Sequence, residues 1–147
     1  FVEGNHLCPG CVKSGDCKLQ AVAYFEGMRD LHFQPQSPKR PLDASHPEFL
    51  VDFDRCILCG LCVRASHELD GKDVFELIGR GLSTHLAVNS CSGLLVDSLL
   101  ATSDAAAKIC PVGAIVPKNV AYEKPIGERT YDRATIEVDS LSWKNES

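Results

Sequence analysis

The chain has 147 residues, a net charge of −5, and few aromatics: six Phe, three Tyr and one Trp. That length suits one ordinary domain or two very small ones, and the mild acidity argues against nucleic acid as the main partner, because phosphate binding needs clustered Lys and Arg. No apolar run approaches the ~18 residues that a membrane span requires, and the opening FVEGNHLCPGC lacks the layout of a signal peptide.

In chain order, residues 1–17 read as a loop rich in Gly and Cys, suited to wrapping a metal centre. Residues 18–30 (KLQAVAYFEGMRD) are predicted helical, with Leu19, Val22, Ala23 and Met28 on one face, Phe25 and Glu26 towards the flank, and Gly27 weakening the last turn. The stretch LHFQPQSPKRPLDASHP carries four of the eight prolines and is the expected domain boundary. Phe49–Phe53 reads as a short strand, Val63–Leu69 as the start of a helix, and Val74–Ile78 and Thr84–Val88 as strands separated by Gly79 and Gly81. Thr102 or Ser103 is expected to cap a helix DAAAKI that runs to Cys110, where Pro111 stops it. The remainder is polar, with one strand-like piece at Ile136–Val138, and is expected to lie on a neighbour or to be partly mobile. The resulting fold class is α+β in three parts. Residues 1–45 form a small cluster domain with a helix and a Pro-rich connector, 46–118 a ferredoxin-like domain, and 119–147 an extended tail. The core is expected to be light, so something else must help to hold the fold.

Eight cysteines stand at 8, 11, 17, 56, 59, 62, 91 and 110. The first three read C-x2-C-x5-C and the next three C-x2-C-x2-C. Disulfides are disfavoured without a secretion signal, and cysteines so close together pair poorly with one another. Structural zinc takes four ligands around one ion, usually as two separated pairs, which a triplet matches badly. A cubane iron–sulfur cluster has four iron corners. A tight loop can place three thiolates on three of them while a fourth ligand arrives from elsewhere.

In RCILCGLCVRAS the triplet is Cys56, Cys59 and Cys62. Two-cluster bacterial ferredoxins continue with x3-C-P, whose cysteine serves the other cluster; here that position is Ser66, followed by His67. Cys110 stands in CPVGAI without companions of its own. The economical solution is one [4Fe–4S] cluster held by Cys56, Cys59, Cys62 and Cys110. Pro111 turns the chain after the last ligand, and Gly60 and Gly113 allow close backbone approach. Ile57, Leu58, Leu61, Val63, Ile109, Val112 and Ile115 are the expected apolar shell.

The first triplet, Cys8, Cys11 and Cys17, needs one more ligand, and the candidates are His6 and Cys91. In an extended segment, side chains at i and i+2 point the same way, so His6 and Cys8 can reach one cluster. His6 is preferred, and Cys91 is read as a small buried hydrophobe. The other histidines, His32, His46, His67 and His85, are read as surface or structural.

These motifs (EGNHLCPGCVKSGDCKLQ, SHPEFLVDFDRCILCGLCVRA and ICPVGAI) closely resemble the diaphorase small subunit of NAD-reducing [NiFe]-hydrogenases. More distantly, they resemble the iron–sulfur electron-input subunit of complex I. The resemblance covers residues 1 to about 130. Complex I relatives place the ligand histidine four residues before the first cysteine, where this chain has Gly4; His6 fits the N-H-x-C-P-x-C form of the hydrogenase branch. The resemblance further implies an amino-terminal [2Fe–2S] domain. With no initiating Met, the sequence is expected to be a fragment or mature form of a longer chain. The resemblance also implies partners: a diaphorase large subunit holding FMN and binding NAD, and hydrogenase small and large subunits holding the [NiFe] centre, all cytoplasmic.

No Walker loop or G-x-G-x-x-G fingerprint appears, so a flavin or nicotinamide site within the chain is not expected. The expected role is a wire without substrate chemistry of its own, passing electrons through two [4Fe–4S] clusters. The alternatives are the equivalent subunit of complex I or of a formate dehydrogenase, and a zinc-stapled adaptor.

Overall fold

The computed structural model describes residues 11–28, 39–120, 124–134 and 136, and the chain divides into two compact units. One unit comprises Phe1–Pro35 with Val120–Ser147, and the other Gln36–Asn119.

In the first unit, a turn from Cys11 leads into helix α1 (Lys18–Phe25), which buries Leu19, Gln20, Ala21 and Ala23. Val22, expected on the buried face, is exposed. The helix also ends earlier than its sequence pattern suggests. Gly27 adopts φ +69° and donates to the Tyr24 carbonyl, while Met28 N–H donates to the Ala23 carbonyl. This is a Schellman close, in which a left-handed glycine terminates a helix rather than weakening it. The described part of the later segment, expected within an extended tail, groups with this unit. Its short helix α4 (Thr130–Arg133) belongs to this unit, and its backbone bonds the cysteine loop, with Tyr131 N–H donating to the Gly15 carbonyl at 3.0 Å. Of the expected strand Ile136–Val138, all but Ile136 lies outside the described residues.

The second unit contains two antiparallel strand pairs and two helices. Strand β1 (Phe49–Val51) pairs with β4 (Ile115–Pro117), Leu50 opposite Val116. Strand β2 (Phe75–Ile78) pairs with β3 (His85–Val88), Leu77 opposite Leu86. Helix α2 (Leu61–Glu68) packs on α3 (Ala105–Lys108) and on β2. Small side chains permit this packing, since Ala65, Ala106 and Ala107 are buried where the two helices meet the core of Phe49, Val51, Val74, Phe75, Leu95 and Ile115. The end of the Pro-rich stretch joins this unit. Asp43 exchanges both backbone hydrogen bonds with Val51, and its carboxylate accepts from Leu95 N–H at 2.8 Å. Nearby, buried His46 accepts the Glu48 and Phe49 amides on Nδ1, which leaves Nε2 to donate to the Leu100 carbonyl.

Helix α3 starts differently from expectation. Its N-cap is Asp104, and the capping oxygens come from Asp70, which accepts from Ala105 N–H at 2.9 Å and Ala106 N–H at 3.0 Å. Thr102 turns instead to the Glu48 carboxylate.

Candidate metal centre

Cys56, Cys59, Cys62 and Cys110 line one pocket that communicates with solvent. Three local devices bring them there. Asp52 accepts from Asp54 N–H and pairs with Arg55 at 2.9 Å, winding the 3-10 turn Phe53–Arg55 that delivers Cys56. Gly60, at φ +71°, is the N-cap of α2 and lets the loop turn between Cys59 and Cys62. Helix α3 and Pro111 bring in Cys110 from the far end of the unit.

Leu58, between two cysteines, has φ +56°, a left-handed conformation that costs a leucine about 1–2 kcal/mol. It aims the Leu58 amide at Cys56 Sγ, 3.4 Å away. Strain held at a site in this way is usually retained because the aim of the group matters.

The pocket walls are apolar. Ile57, Val112 and Ile115 contribute as expected, and Leu77 and Leu86 are added by the β2–β3 pair. Of the expected shell, Val63 packs into the core instead, and Ile109 is exposed. Leu77 and Leu86 were invisible in the motif because they lie outside it in sequence and arrive through strand pairing.

The electrostatics suit a cationic guest. Burial, together with the negative charges of Cys110, Cys56 and Cys59, pushes the Cys62 thiol up to about 12. Cys56 is also raised, by burial above all, against which the Leu58 amide lowers it. Four ionised thiols around one pocket repel one another, and positive metal ions remove that penalty. Among the described residues, no group of three or more His, Cys, Asp or Glu side chains closes on a point that could hold a single metal ion. Four thiols around one pocket are the number that a [4Fe–4S] cluster takes, one at each iron corner. The donor set therefore fits a [4Fe–4S] cluster.

Ser66, at the position of the missing ferredoxin cysteine, is fully buried, and its Oγ accepts from Val74 N–H at 2.6 Å. It ties α2 to the start of the β2–β3 pair.

In the first unit, Cys11 and Cys17 are both buried, and Cys17 is the N-cap of α1. His6 and Cys8 lie outside the described residues. Arg129 donates to the Ser14 carbonyl at 2.9 Å, and Thr130 N–H donates to the Asp16 carboxylate at 2.7 Å, so α4 clamps the loop between the two cysteines. Gly15 has φ +83°, a left-handed conformation that favours glycine, and a Cβ there would come 2.5 Å from the Arg129 side chain and displace it. Cys91 belongs to the other unit and is exposed, not the buried hydrophobe expected.

Residues 49–116 match the family described as a 4Fe-4S single cluster domain, and residues 1–32 match the NADH-ubiquinone oxidoreductase-G iron-sulfur binding region. The chain is similar to the gamma subunit of the NAD-reducing hydrogenase HoxS of Cupriavidus necator, at 34% identity over 99% of this chain and 62% of that protein. It is also 36% identical to an NADH-quinone oxidoreductase subunit of Streptomyces coelicolor, over 74% of this chain and 12% of that one. Among solved structures, a chain in the crystal structure of an NAD+-reducing [NiFe]-hydrogenase in the H2-reduced state is 54% identical, with a TM-score of 0.83 over 90% of this chain and 56% of that one. The chain thus spans about three fifths of the length of that hydrogenase gamma subunit.

Proposed function

We propose, taking this kinship as the premise, that the chain is an electron-transfer subunit that carries two [4Fe–4S] clusters. In this reading Cys56, Cys59, Cys62 and Cys110 hold one cluster, and His6, Cys8, Cys11 and Cys17 hold the other. The relay runs between a subunit that holds FMN and binds NAD and a [NiFe]-hydrogenase module, in a cytoplasmic assembly. The clusters supply one-electron redox chemistry. The chain's own residues fix their position, exclude water and set their potentials. Ile57, Leu77, Leu86 and Val112 surround the second site with hydrocarbon, and the Leu58 amide beside Cys56 Sγ stabilises negative charge on that sulfur. A histidine in the first set adds no negative charge and so raises the potential of that cluster.

The observation that supports this reading most is the gathering of four cysteines, from positions as far apart as 56 and 110, around one apolar pocket. Anaerobic metal and sulfide analysis tests it. About eight iron and eight acid-labile sulfides are expected per chain of this length. One or two zinc ions with no sulfide would refute the wire and support the stapled adaptor. The likeness to the Streptomyces NADH-quinone oxidoreductase favours a second reading, the same wire in a complex I-type assembly. Identifying the co-purifying subunits, and whether H2 reduces NAD, separates the two.

A further inference from the structure

Two segments far apart in sequence must agree for Cys110 to meet the triplet. Helix α2 carries Cys62, and α3, through its C-cap Ile109, delivers Cys110. Asp70 stands just past the end of α2, where its own N–H donates to the Ala65 carbonyl at 3.0 Å. Its carboxylate crosses to α3 with Oδ1 on Ala105 N–H and Oδ2 on Ala106 N–H, a reach of 35 and 36 residues along the chain. A bidentate grip fixes rotation as well as distance.

A four-residue helix cannot sustain itself and takes its direction from whatever holds its ends. The start of α3 is held twice. Lys72 binds both oxygens of Asp104, at 2.7 and 2.8 Å, and Asp104 in turn accepts from Ala101 N–H at 2.8 Å. Lys72 also bridges from α2, its N–H donating to the Ser66 carbonyl at 2.9 Å, but its side chain reaches only the N-cap, whereas Asp70 grips the first two amides of α3 itself.

We propose that Asp70 is the positioning residue for Cys110, setting the rotation and reach of the segment that presents the fourth thiolate to the second cluster. This rests on the reading that Cys110 is a cluster ligand. Asp70 touches neither the pocket nor the cysteines; it acts through α3.

The test is Asp70→Asn in the full chain, purified anaerobically in its assembly. The variant keeps the size of the side chain, but turns an amide N–H towards one of the two backbone donors. The readouts are the EPR spectrum and midpoint potential of each cluster, and hydrogen exchange at Ala105 and Ala106. Exchange there should accelerate about tenfold or more. The second-cluster spectrum and potential should shift while the first cluster stays unchanged, and Asp70→Glu should restore part of the difference. Asp43→Asn, which loosens a buried carboxylate latch elsewhere in the same unit, should leave the second-cluster spectrum as it is. An unchanged second-cluster signature in Asp70→Asn, or the same change in Asp43→Asn, would overturn the assignment. Should Asp70→Asn not fold, the comparison of Asp70→Glu with Asp43→Asn decides by the same criteria. Absence of a second-cluster signal in the unaltered protein would instead refute the ligand reading, while the exchange measurement still reports on the grip itself.

Discussion

Replacing Ser66 with alanine removes a single oxygen from the interior of the second unit. That oxygen is the acceptor for the Val74 amide at 2.6 Å. Ser66 is fully buried and Val74 is 1% exposed, so no water can enter to take its place. A buried amide left without a partner costs about 1–3 kcal/mol. At about 1.4 kcal/mol per decade, the middle of that range is roughly a thirtyfold loss of protection at Val74. Hydrogen exchange on the anaerobic protein reads that amide directly, and the start of β2 should open with it. Ser66→Cys sharpens the test, since it rebuilds the C-x2-C-x2-C-x3-C run of two-cluster ferredoxins. Sulfur is a weak acceptor on a longer bond, so Val74 should lose most of the same protection. With Cys56, Cys59, Cys62 and Cys110 read as one complete set of four, a cysteine at 66 is left without partners of its own in this unit, so no additional iron should bind. Unchanged Val74 protection in Ser66→Ala, or extra iron in Ser66→Cys, would refute this account of why the motif is interrupted there.

Thiol labelling separates ligands from spare cysteines, because Cys59 and Cys91 are both exposed. In the intact anaerobic protein, iodoacetamide should modify Cys91 and spare Cys59, and removal of iron should open Cys59; equal labelling at the outset would refute Cys59 as a ligand. The Lys72–Asp104 pair predicts a pH effect. Burial opposes ionisation of Asp104, but the Lys72 ammonium and the Ala101 amide outweigh it and hold the carboxyl below its usual range. A carboxylate depressed in the folded state contributes stability that is fully present above the unfolded value of about 4 and is lost as pH falls through the folded one. Lys72→Met should therefore move the acid unfolding midpoint, followed by circular dichroism, to higher pH, and equal midpoints would contradict the pairing.

The cysteine triplet, the position of Cys110 and the strands around Phe49, Phe75 and Leu86 were legible because each follows from local spacing or alternation. What escaped was contributed across the chain. Gly27 reads as a helix-weakening residue until its neighbours' carbonyls are seen to close on it. The α3 cap could be sought only among nearby Thr and Ser, whereas Asp70 supplies it from another part of the unit. Leu77 reaches the pocket because it stands opposite Leu86, and nothing in the triplet predicts that register. The polar composition of the final segment suggested an extended tail with little core of its own. Its value lies in Arg129 and Thr130, whose bonds to Ser14 and Asp16 depend on where the chain returns.

That return has a consequence for biosynthesis. The loop of Cys11 and Cys17 leaves the ribosome early, yet its clamp is made by residues near 130. At about 5–20 residues per second the delay is on the order of ten seconds. In that interval the whole of Gln36–Asn119 emerges and can close through β1 and β4. The unit of Gln36–Asn119 can thus close while the Cys11–Cys17 loop still waits for the residues near 130 that hold it.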